Sequence, residues 1–175
     1  TAAGMVDGPI RLTGHSAGGH LVTRMACRDA PLPGDIQQRI AHIVSISGVH
    51  DLRPLTRTAM NAKLFRTPDE AAAESPALLE PVPGTRLTCW VGDRERPEVI
   101  RQNDLLANIW HGLGACTRHV HDTGRHHFNV IDGLEDPTGG YCCTAIHFTK
   151  DAVLLAYCAG GAADKSRLAK LRIRK

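Results

Sequence analysis

The chain has 175 residues, 42% hydrophobic and 22% charged, enough for one proper core and unlike a disordered or low-complexity protein. Its net charge of +3 is uneven: Lys165 to Lys175 holds six basic residues and no acid, which leaves 15 basic residues against 18 acids elsewhere. A mildly acidic body argues against a nucleic-acid partner, and no apolar run reaches the roughly 20 residues that span a bilayer, so no membrane partner is expected.

The first predicted element is a strand at Pro9–Thr13, followed at once by "GHSAGGHL". Ser16 stands between Gly14 and Gly18, with Gly19 next, and Leu21, Val22, Met25 and Ala26 share one face of the helix that follows. A serine hydroxyl is a weak nucleophile unless a base takes its proton and the resulting oxyanion is held. A G-x-S-x-G bend between strand and helix answers both needs. Its glycines leave room for a strained backbone, and the Ala17 amide at the helix N-terminus offers an oxyanion-hole donor. Reading Ser16 as a simple helix cap leaves both flanking glycines unexplained.

Further along, "HIVSIS" (His42–Ser47) predicts a second strand buried on both faces. Asp51 to Pro83, with five prolines around a short helix near Asp69–Glu74, predicts a cap-like excursion over the sheet end. "LTCWVG" (Leu87–Gly92) predicts the third strand and opens into "GDRERPE". Asp93, directly after that strand, is the preferred acid to orient a histidine, with Glu95 the alternative. Pro97 opens a helix carrying Leu106, Ile109, Trp110 and Leu113 on one face, which Gly112 or Gly114 closes. Thr117–His121 is the fourth strand. The following "GRHHFNV" offers His126 and His127, and an inward-packing Phe128 favours His127 as the general base. Strands alternating with helices predict a mostly parallel sheet of about four strands, and the order serine, acid, histidine is that of one serine-hydrolase architecture.

His119, His121, His126 and His127 also invite a metal reading. With no acidic or cysteine ligand at helical spacing nearby, no metal is expected, and no cofactor. The six cysteines lack a paired C-x-x-C spacing and read as reduced thiols, which makes the cytoplasm the expected location. Residues 138–175 change character and are expected to form a divergent tail ending in a solvated basic run, separate from a domain over residues 1–137.

Five segments in order, "GHSAGGHL", "SISGVHDLRPL", "ESPALL", "CWVGDRERPEVIRQ" and "GRHHFNVIDGL", resemble the C-terminal portion of α/β-hydrolases of the arylformamidase (kynurenine formamidase) and carboxylesterase type. The resemblance implies a partial α/β-hydrolase fold whose N-terminal strands, with the family's His-Gly-Gly oxyanion segment, are missing. It implies Ser16 as nucleophile, His127 as base, an acid from the 93–95 loop, and a small ester or aryl formamide substrate cleaved through an acyl- or formyl-enzyme. In the family the acid lies three residues before the loop proline, a position held here by Arg94, so either the acid shifts by one residue to Asp93 or Glu95 or the position is lost. A catalytically impaired fragment or a non-catalytic interaction module is the alternative, and an oligomer is compatible with either.

Overall fold

The computed structural model describes residues 8–64, 66–134 and 153–157. Five strands, β1 (Ile10–His15), β2 (Ile40–Ile46), β3 (Arg86–Gly92), β4 (Cys116–Asp122) and β5 (Val153–Tyr157), form one sheet in the order β4-β3-β2-β1-β5. Every pairing is parallel. The first four match the predicted runs to within two residues at either end. β5 corrects the sequence reading. It arises within the expected divergent tail and pairs along β1 from Arg11↔Val153 to His15↔Tyr157.

Parallel strands need long crossovers, and these supply α1 (Ala17–Arg24), α2 (Gly34–Gln38), α3 (Asn61–Leu64), α4 (Pro68–Ala73) and α5 (Pro97–Gly112). α1 and α5 cover the same face of the sheet. Val22 and Ala26, and Leu106, Ala107 and Trp110, pack there on Leu12, Ile43, Leu87 and Cys89. On the opposite face Val44, Ile46 and Trp90 pack with Val130 from a 3₁₀ turn at Val130–Leu134. Facing residues along β2 and β3 thus alternate between two covered layers, which is why "HIVSIS" and "LTCWVG" read as continuous apolar runs. Leu21, expected on the buried helix face, is 47% exposed, and Leu113 lies just past the end of α5 at 49%.

The excursion after β2 is tied down by polar groups. α4 begins with a capping box, in which Thr67 Oγ1 accepts from Glu70 N–H and Glu70 reaches back to Thr67 N–H, and Pro68 fills the first turn. Gln102 on α5 accepts from the amides of His50 and Asp51 and donates to the Asp51 carbonyl. Trp110 Nε1–H donates to the Pro76 carbonyl at 3.0 Å. The segment is therefore packed back on α5. Cys27 and Cys89 are buried free thiols and Cys116 an exposed one, the other three cysteines lying outside the described residues. No helix among the described residues is long and apolar enough to cross a membrane.

Candidate active site

All four loops that leave the C-terminal ends of β1 to β4 meet at one edge of the sheet, where open α/β sheets bind ligands. At the end of β1 the chain turns sharply into α1 at Ser16, whose φ of 57° is rare for a residue with a Cβ. The turn is possible because of close backbone approach. A Cβ on Gly14 would lie 2.2 Å from the Gly18 carbonyl oxygen, and one on Gly19 would lie 2.6 Å from Ser45 Oγ. Ser16 N–H donates to the Ile46 carbonyl at 2.9 Å, but its side chain makes no cap bond to α1. The hydroxyl instead points at His127, with Oγ 3.2 Å from Nε2.

His127 lies in the turn after β4. Its Nδ1 is 2.7 Å from Glu95 Oε2. Glu95 is fully buried at its side chain, and its Oε1 accepts from the Ser47 hydroxyl and from Gly92 N–H. Burial pushes the Glu95 carboxyl up, but hydrogen bonds from His127, Ser47 and Gly92 outweigh it and hold the group below the usual carboxylate range. An ionised carboxylate only accepts, so the His127 proton sits on Nδ1 and Nε2 presents its lone pair to Ser16. Ser16 Oγ–H is thereby the donor in the Ser16–His127 contact.

Asp93, the preferred acid at the level of sequence, is elsewhere. It is exposed, and its Oδ1 accepts from Gly124 N–H at 2.7 Å, closing the turn after β4. The acid that meets His127 is Glu95; two residues further along, the turn has curled beneath the histidine. Arg94, at the family's usual acid position, is exposed, and its amide donates to the Arg125 carbonyl. Phe128 corrects a second expectation. It is 77% exposed rather than packed inward, with its ring edge-on to His127 at 5.4 Å. The loop is fixed instead by the fully buried Val130, by His126 N–H donating to Asn129 Oδ1, and by His15. His126 faces Phe128, and His121 contacts Asp104 at 2.7 Å. No group of three or more potential metal ligands occurs among the described residues.

Two neighbours were not singled out from sequence. Ser47 sits fully buried at the end of β2 with φ of 49°, its N–H donating to the Trp90 carbonyl at 2.7 Å. His15, the residue before Ser16, has Nε2 2.7 Å from the His127 carbonyl oxygen. Ala17 opens α1, so its amide lacks an intrahelical acceptor and lies beside the Ser16 hydroxyl in sequence.

A parallel sheet with a strand–serine–helix bend, and a histidine and a glutamate brought to that serine from later strand ends, is an α/β-hydrolase, and the chain belongs to that superfamily. Within it, the relatives are arylformamidase- and esterase-like. The chain is 30% identical over 145 residues to kynurenine formamidase of Salmo salar and 27% identical over 130 residues to that of Danio rerio, covering 77% and 71% of itself. It is 43% identical to a candidate thioesterase of known structure from Silicibacter sp. TM1040, with a TM-score of 0.75 over 82% of its length. The chain spans about half the length of these relatives: 47%, 44% and 53% respectively. No family model matches it.

Proposed function

We propose that the chain carries the triad-bearing part of a serine hydrolase acting on small carboxylic esters or aryl formamides. The observation that carries this reading is the continuous line Ser16 Oγ, His127 Nε2, His127 Nδ1, Glu95 Oε2, with spacings of 3.2 and 2.7 Å across its two contacts. In the proposed reaction Ser16 Oγ attacks the substrate carbonyl carbon while its proton passes to His127 Nε2. The imidazolium so formed is held by the Glu95 carboxylate. The oxyanion of the tetrahedral intermediate accepts from Ala17 N–H. Collapse breaks the C–O or C–N bond, and His127 returns the proton to the departing alcohol or amine. Water, deprotonated by the same histidine, then attacks the acyl- or formyl-enzyme, releasing the acid and restoring Ser16. The chemistry needs no cofactor.

Formamidase relatives favour a formamide, and the candidate thioesterase adds a thioester to the substrates worth assaying. The test is turnover of p-nitrophenyl acetate, N-formyl-kynurenine and an acyl thioester by the purified chain, beside labelling of Ser16 with a fluorophosphonate. Ser16→Ala is expected to abolish labelling and lower any turnover on the order of 10⁴-fold or more. Turnover that survives the substitution rejects Ser16 as the nucleophile. A folded chain that neither labels nor turns over supports the non-catalytic module instead.

A further inference from the structure

We infer that His15 is a positioning residue for the general base: its imidazole grips the His127 backbone and supplies the surface on which the His127 ring rests. The inference builds on the serine-hydrolase reading above. His15 is the last residue of β1, in register between Ile46 of β2 and Tyr157 of β5, and only 8% of it is exposed. It is therefore anchored between two neighbouring strands of the sheet. His127, by contrast, sits in a turn whose next residue, Phe128, lies largely in solvent. The His15 ring bridges the two, with Nε2 2.7 Å from the His127 carbonyl oxygen and the ring centroids 4.6 Å apart at 44°.

A carbonyl oxygen only accepts, so His15 Nε2 carries the proton, and in the neutral ring Nδ1 carries none. The same residue that follows His15 in sequence is the proposed nucleophile, and the residue it grips is the proposed base. One strand end thus fixes both partners of the proton transfer, the hydroxyl by covalent connection and the imidazole by a hydrogen bond. Charge enters too. His127 becomes cationic when it takes the Ser16 proton, and a second cation at 4.6 Å would oppose that step. Among the described residues, the groups that bear on the His15 charge are His127 and Glu95. Burial, aided by His127, keeps His15 below the ordinary histidine range despite the pull of its backbone bond and of Glu95, so it stays neutral at pH 7.

Two variants separate positioning from space-filling. His15→Gln keeps an N–H donor at nearly the same reach and loses the aromatic ring. His15→Phe keeps the ring and loses the donor. With folding checked by circular dichroism, His15→Phe is expected to slow fluorophosphonate labelling of Ser16 by about 10- to 100-fold, and His15→Gln by much less, since small misplacements of a reacting group carry penalties of that size. The second readout does not depend on reactivity. In ¹⁵N-labelled protein at pH 7 the proton of His15 is expected on Nε2, and the deshielded Nδ1 proton of His127, bonded to Glu95, should persist in His15→Gln and vanish in His15→Phe. A His15→Phe protein that labels as fast as the unmodified chain, or keeps the His127 proton signal, overturns the inference. If the unmodified chain fails to label, the hydrolase reading falls, while the two proton signals still decide what His15 does.

Discussion

A buried carboxylate is tolerable only when its acceptor sites are filled, and Glu95 has both oxygens engaged, by Ser47 and Gly92 on one side and His127 on the other. Glu95→Gln removes the charge and turns an N–H toward His127 Nδ1 in one amide orientation, favouring the tautomer that cannot accept from Ser16. On the proposed mechanism we expect it to lower turnover about 10⁴-fold at pH 7, as loss of the third member does in established triads. Asp93→Asn, whose amide oxygen still accepts from Gly124 N–H, should stay within about a factor of two, as surface changes do. Steady-state kinetics of the two variants measures the contrast, and the opposite ranking would restore Asp93 as the acid. The sequence made Ser16 and His127 legible because their signals are local: glycines where a bend needs space, and a histidine in the loop after a fourth strand. Choosing between Asp93 and Glu95 required the path of the turn. Glu95 Oε1 bonds the amide of Gly92 three residues back, and Gly92 lets the chain pass against Arg125, where a Cβ would sit 2.2 Å from the carbonyl oxygen. His15 and Ser47 escaped notice because they act on residues far along the chain.

At the scale of elements, the bend at Ser16 depends on β1 and α1 touching through backbone. With Gly14 facing the Gly18 carbonyl, Gly14→Ala forces the first turn of α1 away from the strand and takes the Ser16 hydroxyl with it. Overpacking of this kind costs about 1–3 kcal/mol, here with no flexible side chain to yield. Urea unfolding should register that loss, and Ser16 labelling should disappear. Gly112→Ala is the control. A Cβ at Gly112 meets nothing within 4 Å, and alanine at a helix end is neutral or stabilising by up to about 1 kcal/mol. Equal stability of the two variants would show that the close approach at Gly14 does not constrain the bend. Four strands were readable from their apolar runs, since burial on both faces leaves that mark on sequence. β5 was not, although "VLLAY" is such a run, because its partner β1 lies at the other end of the chain and nothing local announces the pairing. The exposed Leu21 and Phe128 show the converse: an apolar residue in phase with a core face is drawn inward only where a neighbour covers it.

Across the whole molecule, the fold stores several neutral histidines, and this sets how it responds to acid. His50 is completely buried, its ring between Thr23 Oγ1 and Ser45 Oγ at 3.3 Å from each. Burial, aided slightly by His20, pushes it down to about 3 from its ordinary 6.5. His15, His20 and His42 are also lowered, in each case mainly by burial. Between pH 6.5 and the folded value, the unfolded chain therefore binds protons that the native chain refuses. Stability is complete above pH 6.5 and drains as pH falls, with His50 alone contributing a slope of about 1.4 kcal/mol per pH unit. Asp51, held low chiefly by Arg53, and Glu98, held low chiefly by Arg101, act with the same sign, but only near and below their ordinary values of 3.8 and 4.5. Among the described residues, the loss between pH 6.5 and 5 thus belongs to histidines. Urea unfolding at pH 7.5, 6.5, 5.5 and 5.0 should show a plateau followed by a fall at least as steep as the His50 share. His50→Gln, less stable at pH 7.5 for want of a filled site, should show a fall shallower by about that share. The His50 ring itself should show no NMR titration over the same range. Stability unchanged from pH 7.5 to 5.0, or a His50 ring that titrates near 6.5, would mean that its site admits water and that the charged form is accommodated.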